Sequence, residues 1–429
     1  MNTNTIAATA QKKVRWHILP YLFIIYFVAF LDRSSITYAS IGGMDADLGL
    51  TATTYGFIAG IFFIGYFLFG IPGNMILEKV GAKRWIALIL ILWGLVTLLT
   101  GFVQSAVELT ILRFLLGVFE AALFPGMTLI VTYWFVSKTR AAAIALFMIA
   151  PPLANSFGAP VATAIISNIH QFLNLSGWRW LFLIVGLPAV LLGIFTYWYL
   201  NDKPQDAKWL TPEERQWLID ALDKDNQENS KEGEIAAPFK EAFLDRKIWI
   251  VTLMNFFYVM GLYGITFWLP QMIKSISSSS STMTVGWLTA IPYLLGAVAL
   301  VVNARSSDRT GERYYHTALG AIVGGLSLLA SALIPNPYLA MVFICLAAIG
   351  LYAWSGPYWA ITTAIDPRIA AVGLGIVNAI GNLGGFVSPY VVGWLKDLTN
   401  STVSGMCFLA ASLILAGCLV MLLKRTNAH

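Results

Sequence analysis

Twelve apolar runs, several approaching the ~20 residues that cross a ~30 Å hydrocarbon layer, constrain this chain more than any other feature. They lie near 17–40, 53–77, 84–103, 108–131, 139–166 and 178–199, and again near 247–272, 284–304, 315–334, 338–364, 369–396 and 402–424. Inside lipid every backbone N–H and C=O must be satisfied by the chain itself, and the short alternating strands of a membrane barrel are missing, so the runs predict helices. The expected fold class is an all-α polytopic membrane protein, with 12 transmembrane helices in two pseudo-symmetric six-helix bundles. Only 11% of the residues are charged, against about a quarter in soluble domains. The net charge of +5 does not point to nucleic acid, because the charges fall in short connections between the runs. They report topology instead.

The cationic connections lie on one side: Lys12, Lys13 and Arg15, then "EKVGAKR", "SKTR", "RSSDRTGER" and "DPR", and finally Lys424 and Arg425. "GGMDADLG", "VQSAVE", "SISSSSSTM" and "PNP" on the other side are poor in Lys and Arg, with Arg179 and Lys396 as isolated exceptions. The bias places both termini and the long central connection in the cytoplasm. The first run is too long for a signal peptide and lacks a small-residue cleavage site. Cys345, Cys407 and Cys418 sit in apolar runs without metal-ligand spacing and read as buried small hydrophobes. No metal or cofactor is expected. His17, His170, His316 and His429 are scattered, with no nucleophile and base beside them, so the chain does not read as an enzyme.

The only long polar stretch divides the chain into a bundle at 1–200, a linker at 201–246 and a bundle at 247–429. In "LTPEERQW", Thr211 reads as an N-cap, Pro212 as the first helical residue and Glu214 as the capping-box partner, which predicts a short surface helix. The halves echo one another at an offset near 230: "EKVGAKR" at 78–84 matches "DRTGER" at 308–313, and Pro160 of "NSFGAP" matches Pro389 of "NLGGFVSP". Two such repeats with a site between them at the midplane form a transporter architecture.

Charges inside the runs are few: Asp32 and Arg33 in the first, Arg113 and Glu120 in the fourth. The positions 230 later hold Leu262, Tyr263, Phe343 and Gly350, so the charge is confined to one half. Arg113 and Glu120 are seven apart, on one helix face and about 10.5 Å apart along the axis, so both can address a common cavity. Asp32 and Arg33 are about 100° apart around a helix and cannot share a target. Arginine offers a planar fork that suits a carboxylate, so Arg33 and Arg113 are the candidates to hold an anion. A buried glutamate without a fixed partner can take up and release a proton, which makes Glu120 the first candidate proton carrier and Asp32 the second. The competing reading is a set of ion pairs that only lock the bundle.

Uncharged residues complete the expected cavity: Tyr66 in the second run, Tyr258 and Tyr263 in the seventh, Trp359 in "YAWSGPYWA", and Asn378 and Asn382 in "NAIGNLGG". The two amides are the stronger candidates, since a buried amide needs partners. Pro357 should break or bend its helix at this cavity. The loops carrying Glu78, Lys79, Gly81 and Arg84, and Asp308, Arg309, Gly311 and Arg313, repeat an acid and a glycine among bases. Such loops can cap helices or latch the cytoplasmic side shut.

Over nearly its whole length the chain resembles the major facilitator superfamily, through "GNMILEKVGAKR", with Glu78 where an aspartate is usual. Through "FLDRSSI", "GIPGNMI", "LRFLLGVFEAALFPG", "KPQDAKWLTPEER" and "VGWLKDLT" it resembles the anion:cation symporters within it. Bacterial members carry tartrate, phthalate, 4-hydroxyphenylacetate, galactonate and rhamnonate. The resemblance implies that Arg33 contacts a substrate carboxylate, that Arg113 and Glu120 serve anion binding and proton coupling, and that Tyr66 and Asn378 line the pocket. Where galactonate-type members have a glutamine, this chain reads "MIAPPLANS" with Pro152, so a polyol contact is missing.

The expected function is proton-coupled symport of a small organic carboxylate across the inner membrane by alternating access. An exchanger or exporter of the same fold is the alternative. The partners are that anion, protons and the lipid bilayer, with no nucleic acid, and the chain is expected to act as a monomer.

Overall fold

In the computed structural model, which describes residues 3–230, 239–276, 280–363 and 367–427, each apolar run is a helix long enough to cross a membrane. In chain order the helices are Thr5–Asp47, Ala52–Val80, Ala82–Thr100, Ala106–Trp134, Ser137–Asn168 and Gly177–Tyr199, then Arg246–Ile276, Thr282–Thr310, Tyr314–Leu333, Pro337–Thr362, Val372–Thr399 and Thr402–Thr426. They are named spans one to twelve here. No strand occurs among the described residues.

Four spans are interrupted near their middles, at equivalent places in the two halves. Span four breaks after Glu120, span five after Phe147, span ten at Trp354 and span eleven at Leu383. In spans five and ten a proline follows within the first turn of the second piece (Pro151, Pro357), where its missing N–H would have bonded a carbonyl of the first piece, and in span four Pro125 denies that bond to Ala121, in the break itself. The carbonyl orphaned by Pro357 belongs to Ala353, and the Asn303 amide of span eight donates to it at 2.7 Å. Span eleven bends at Leu383, just before Gly384 and Gly385. The helix break expected around Pro357 is therefore present, three residues earlier.

Packing repeats between the halves. Span three lies along six as nine lies along twelve, two against four as eight against ten, and one against five as seven against eleven. The halves touch through spans two and eleven and through five and eight. At the centre, spans one and seven meet through pairs 230 residues apart, Arg33 Nη1 to the Tyr263 hydroxyl at 2.9 Å and Thr37 Oγ1 to the Phe267 carbonyl at 2.7 Å. The internal repeat read in the sequence thus becomes a two-fold relation in space.

Among the described residues, hydrogen bonds between the halves run from this midpoint to the end opposite the termini. There Lys396 donates to Gln271 at 2.7 Å and Gln271 donates to Ser40 at 2.8 Å. Gly56 and Gly393 let backbones touch, since a Cβ at either would fall 2.1 Å from the carbonyl oxygen of Pro389 or Ala52. The Asp397 carboxylate caps the start of span two from the other half, accepting from Ala52 N at 3.2 Å, Thr53 N at 2.7 Å and Thr53 Oγ1 at 2.6 Å. The end opposite the termini is thus clasped between the halves. Removing the clamp in Asp397→Ala should favour opening of the closed end by about 1–2 kcal/mol, a fivefold or larger shift. Spin labels at Leu48 and Ser401 would report it as a new long-distance population. An unchanged distance distribution would show that Asp397 clamps nothing.

The linker helix, Pro212–Ser230, starts as the capping box requires. Thr211 N donates to Glu214 Oε2 at 3.0 Å and Glu214 N to Thr211 Oγ1 at 3.3 Å. It lies on the first half, where Lys13 pairs with Glu214 at 2.7 Å and Trp134 stacks on Trp209 at 5.2 Å. Asp225 accepts from Ser137 N at 3.0 Å and so caps span five. Burial opposes the charge on Asp225, but Ser137 and Arg140 hold its carboxyl below the ordinary aspartate range.

Candidate functional site

The mid-span charges gather around one close contact between spans two and four. Arg113, Gly117 and Glu120 lie along one face of span four. Gly117 is a glycine by necessity, because a Cβ there would fall 1.9 Å from the Phe62 carbonyl oxygen. The backbone of span two therefore rests on span four between the two charges, and the Phe62 side chain is fully buried there.

Arg33 reaches Glu120 from span one. Its Nε donates to Glu120 Oε2 at 3.2 Å and its Nη2 makes a shorter bond to the same oxygen, while Nη1 reaches Tyr263 of the second half. The rings of Phe30 and Phe62 lie 4.6 and 4.7 Å from the guanidinium carbon. Aromatic faces of this kind hold a cation without neutralising it. Asp32 turns the other way and accepts from Thr97 of span three at 2.5 Å. The two neighbours address different targets, as their angular separation requires.

Arg113 lies on the same helix face as Glu120, and its guanidinium, like that of Arg33, lies against the Phe62 ring. Arg113 is 1% exposed and Arg33 8%. The Arg113 guanidinium carbon lies 5.6 Å from the Phe62 ring, its Nε and Nη2 have no hydrogen-bond partner, and the charges of Asp32 and Glu120 are within electrostatic reach. Glu120 Oε1 is also unpartnered. Glu120 is not without a fixed partner, as the sequence reading had it, since Arg33 occupies its other oxygen. The ion pair between spans is real in this conformation.

Around the pair stand tyrosines. Tyr263 is bonded to Arg33, and Tyr66 lies 6.0 Å from the Phe62 ring with Arg33 and Glu120 in electrostatic reach. Tyr26 completes the group, packed edge-on against Phe30 at 5.0 Å. Sequence reasoning missed it, although Tyr26, Phe30 and Arg33 are spaced four and three apart on one helix face. Tyr258 bonds Ser355 at 3.1 Å and stacks on Trp354 at 4.8 Å, a turn away from Tyr263. Trp359 is 39% exposed and packs edge-on against Tyr358. Asn382 donates to Asn378 at 2.8 Å, and Asn378 is exposed rather than buried. Both continue a stripe of span eleven whose next members, Gly385 and Pro389, touch Phe63 and Gly56 of span two.

The two repeated loops turn through glycines with positive φ, 88° at Gly81 and 69° at Gly311, a region costly for other residues. Each is tied within its own half. Asp308 pairs with Arg313 at 2.5 Å, while Glu78, Lys79, Arg84 and Arg309 are exposed. The helix caps come from acids that sequence reasoning passed over. Asp202 Oδ1 accepts from Lys83 N at 2.7 Å, and Glu312 Oε2 from Tyr315 N at 2.8 Å. Arg179 caps span three by donating to the carbonyls of Gly101 and Val103 at 3.1 and 2.7 Å. The cysteines are not buried: Cys345 and Cys407 are intermediate and Cys418 is exposed. Among the described residues, no cluster of His, Cys, Asp and Glu could hold a metal.

Residues 22–389 match the Major Facilitator Superfamily. A candidate tartrate transporter of Agrobacterium vitis is 40% identical over 416 residues, covering 97% of this chain and 94% of that protein. A quinolone resistance transporter of Acinetobacter baumannii is 35% identical over 400 residues, covering 93% and 91%. A crystal structure of a bacterial homologue of the human lysosomal transporter Spinster, in an inward-facing and unoccupied conformation, shares the fold with a TM-score of 0.72 at 20% identity over 96% of each chain. Twelve spans in two repeats and a family match across most of the length agree, and this chain belongs to the Major Facilitator Superfamily of membrane transporters.

Proposed function

We propose that this transporter is a proton-coupled symporter that imports a small organic carboxylate across a bacterial inner membrane. The observation that carries the reading is Arg33, a buried mid-span cation whose fork is held by Glu120. A substrate carboxylate and the Glu120 carboxylate compete for the same donors. A proton on Glu120 removes its charge and frees the fork for the anion. Loss of that proton restores the ion pair and expels the anion. One proton per monoanion moves no net charge. A second proton, on Asp32, makes uptake electrogenic, worth about 2.3 kcal/mol per 100 mV.

In this reading Arg113 joins the anion site once Phe62 moves, Tyr66, Tyr258, Tyr263 and Trp359 form its walls, and Asn378 and Asn382 bind its hydroxyl or carbonyl groups. Residues 1–200 and 247–429 rock as two units in a monomer, joined by 201–246. The Lys and Arg bias puts both termini in the cytoplasm. The loops at 78–84 and 308–313 latch the cytoplasmic end when the site faces outward. The tartrate-transporter relative supports a hydroxy-acid substrate. The relative named for quinolone resistance keeps the exporter or exchanger as the second reading.

Uptake into proteoliposomes under an imposed inward proton gradient tests the proposal, with tartrate, rhamnonate, galactonate, phthalate and 4-hydroxyphenylacetate as substrates. One anion should accumulate above equilibrium. Glu120→Gln should stop accumulation while counterflow of preloaded anion continues. Exchange without accumulation in the unaltered protein would sink symport in favour of the exchanger.

A further inference from the structure

The transport reading above gives Tyr26 no task, yet its hydroxyl is placed for one. Tyr26 lies at the middle of span one, Thr5–Asp47, too deep to use the lipid headgroups that interfacial tyrosines meet. The hydroxyl falls instead within electrostatic reach of Arg33, Glu120, Tyr66 and Tyr263, groups contributed by both halves. Among the described residues it bonds no protein atom, and it is not sealed in as the Tyr358 hydroxyl and Glu120 Oε1 are. The Tyr66 hydroxyl, in reach of the same Arg33 and Glu120, is in the same condition. We propose that Tyr26 is a specificity-determining residue whose phenol, with that of Tyr66, binds a hydroxyl group of the anion held by Arg33, so that the substrate is a hydroxycarboxylate. The inference rests on the carboxylate reading given above and names the substrate class within it.

Aromatic contacts hold the ring in place. It packs edge-on against Phe30 at 5.0 Å, and Phe30 in turn lies 4.6 Å from the Arg33 guanidinium carbon. Phe147 meets it edge-on at 5.8 Å and Phe124 at 6.0 Å, and those two rings lie 6.1 Å apart. Phe147 ends the first piece of span five, and Phe124 lies in the first turn of the second piece of span four. Both helix breaks therefore contribute to the grip on this one ring. A phenol oxygen lies on the axis about which its ring flips, so ring flips leave the hydroxyl where it is. The chemistry of the oxygen then decides what it selects. A phenol both donates and accepts a hydrogen bond, as an alcohol does, whereas a carboxylate only accepts. An anion that brings a hydroxyl satisfies the phenol. Its deoxy counterpart covers the phenol and leaves it unpaired at membrane depth.

Equilibrium binding to the purified whole chain tests the proposal with two matched pairs, tartrate against succinate and 4-hydroxyphenylacetate against phenylacetate. The members of each pair differ only in hydroxyl groups. The unaltered protein should prefer the hydroxylated member of at least one pair by about tenfold or more. Tyr26→Phe removes one oxygen and keeps the ring. It should weaken the preferred hydroxylated anion about tenfold and spare its deoxy partner. Arg33→Ala should weaken both members of that pair alike, because both carry the carboxylate. A preference that survives Tyr26→Phe overturns the assignment, as does an unaltered protein that prefers neither hydroxylated anion. An equal loss for both members in Tyr26→Phe overturns it too, by showing that the oxygen supports only the packing. Binding of none of the four anions by the unaltered protein would sink the carboxylate reading instead, so the two failures are distinct.

Discussion

Arg33→Ala is expected to lower the initial rate of gradient-driven uptake at least a hundredfold. The guanidinium makes two bonds to Glu120 and one to Tyr263, and the proposed cycle passes the Glu120 bonds to the substrate. Charge-assisted bonds contribute about 1.5–3 kcal/mol each, and roughly 3 kcal/mol corresponds to a hundredfold change in affinity. Arg33→Lys keeps the charge but not the fork, so a loss of about tenfold is expected. A single variant cannot separate a carboxylate-binding arginine from one that only locks spans one and four. The double variant Arg33→Ala with Glu120→Gln can, because it leaves neither member of the pair as an unpaired buried charge. It should regain thermal stability and remain inactive. Recovery of uptake in the double variant would show that the pair serves the bundle and not the anion.

Gly117→Val should be nearly as severe by a different route. Ordinary carbon contacts begin near ~3.5 Å, and the Cβ at Gly117 would sit 1.9 Å from the Phe62 carbonyl oxygen. Spans two and four would have to separate by more than ~1 Å, carrying Phe62 away from both arginines. Overpacking of a tight contact costs about 1–3 kcal/mol, and more when backbone must move. The midpoint of thermal denaturation should fall by ~5 °C or more, and uptake should drop at least tenfold. Gly70→Val, on the same span as Phe62 with nothing within 4 Å of its Cβ, is the control. Equal stability and equal uptake in the two variants would remove Gly117 from the account.

The parts of this molecule that were legible in sequence are those set by local rules. Span positions follow from the length of apolar runs, and the linker capping box follows from Thr211 and Glu214 three residues apart. The divergence of Asp32 and Arg33 follows from helix geometry alone. The offset of 230 read from the loops reappears as the Arg33–Tyr263 contact. What escaped depends on which helix lies against which. Nothing in the string marks Phe62 as the residue whose carbonyl meets Gly117. The acid that caps span three comes from Asp202, far from the glycine loop it serves, and Glu78 in the loop itself stays exposed. Asn378 is exposed where a buried amide was expected, because burial depends on which neighbours its helix meets.

The linker contacts bear on how the protein is made. Lys13, Trp134, Ser137 and Lys83 receive partners from Glu214, Trp209, Asp225 and Asp202, all of which follow span six in the chain. Domains fold as units during synthesis, the N-terminal one first. Once residue 230 has left the ribosome, the starts of spans three and five are capped and the first six helices have these partners in place. A nascent chain halted there already carries every one of these clasps, before the second bundle has emerged.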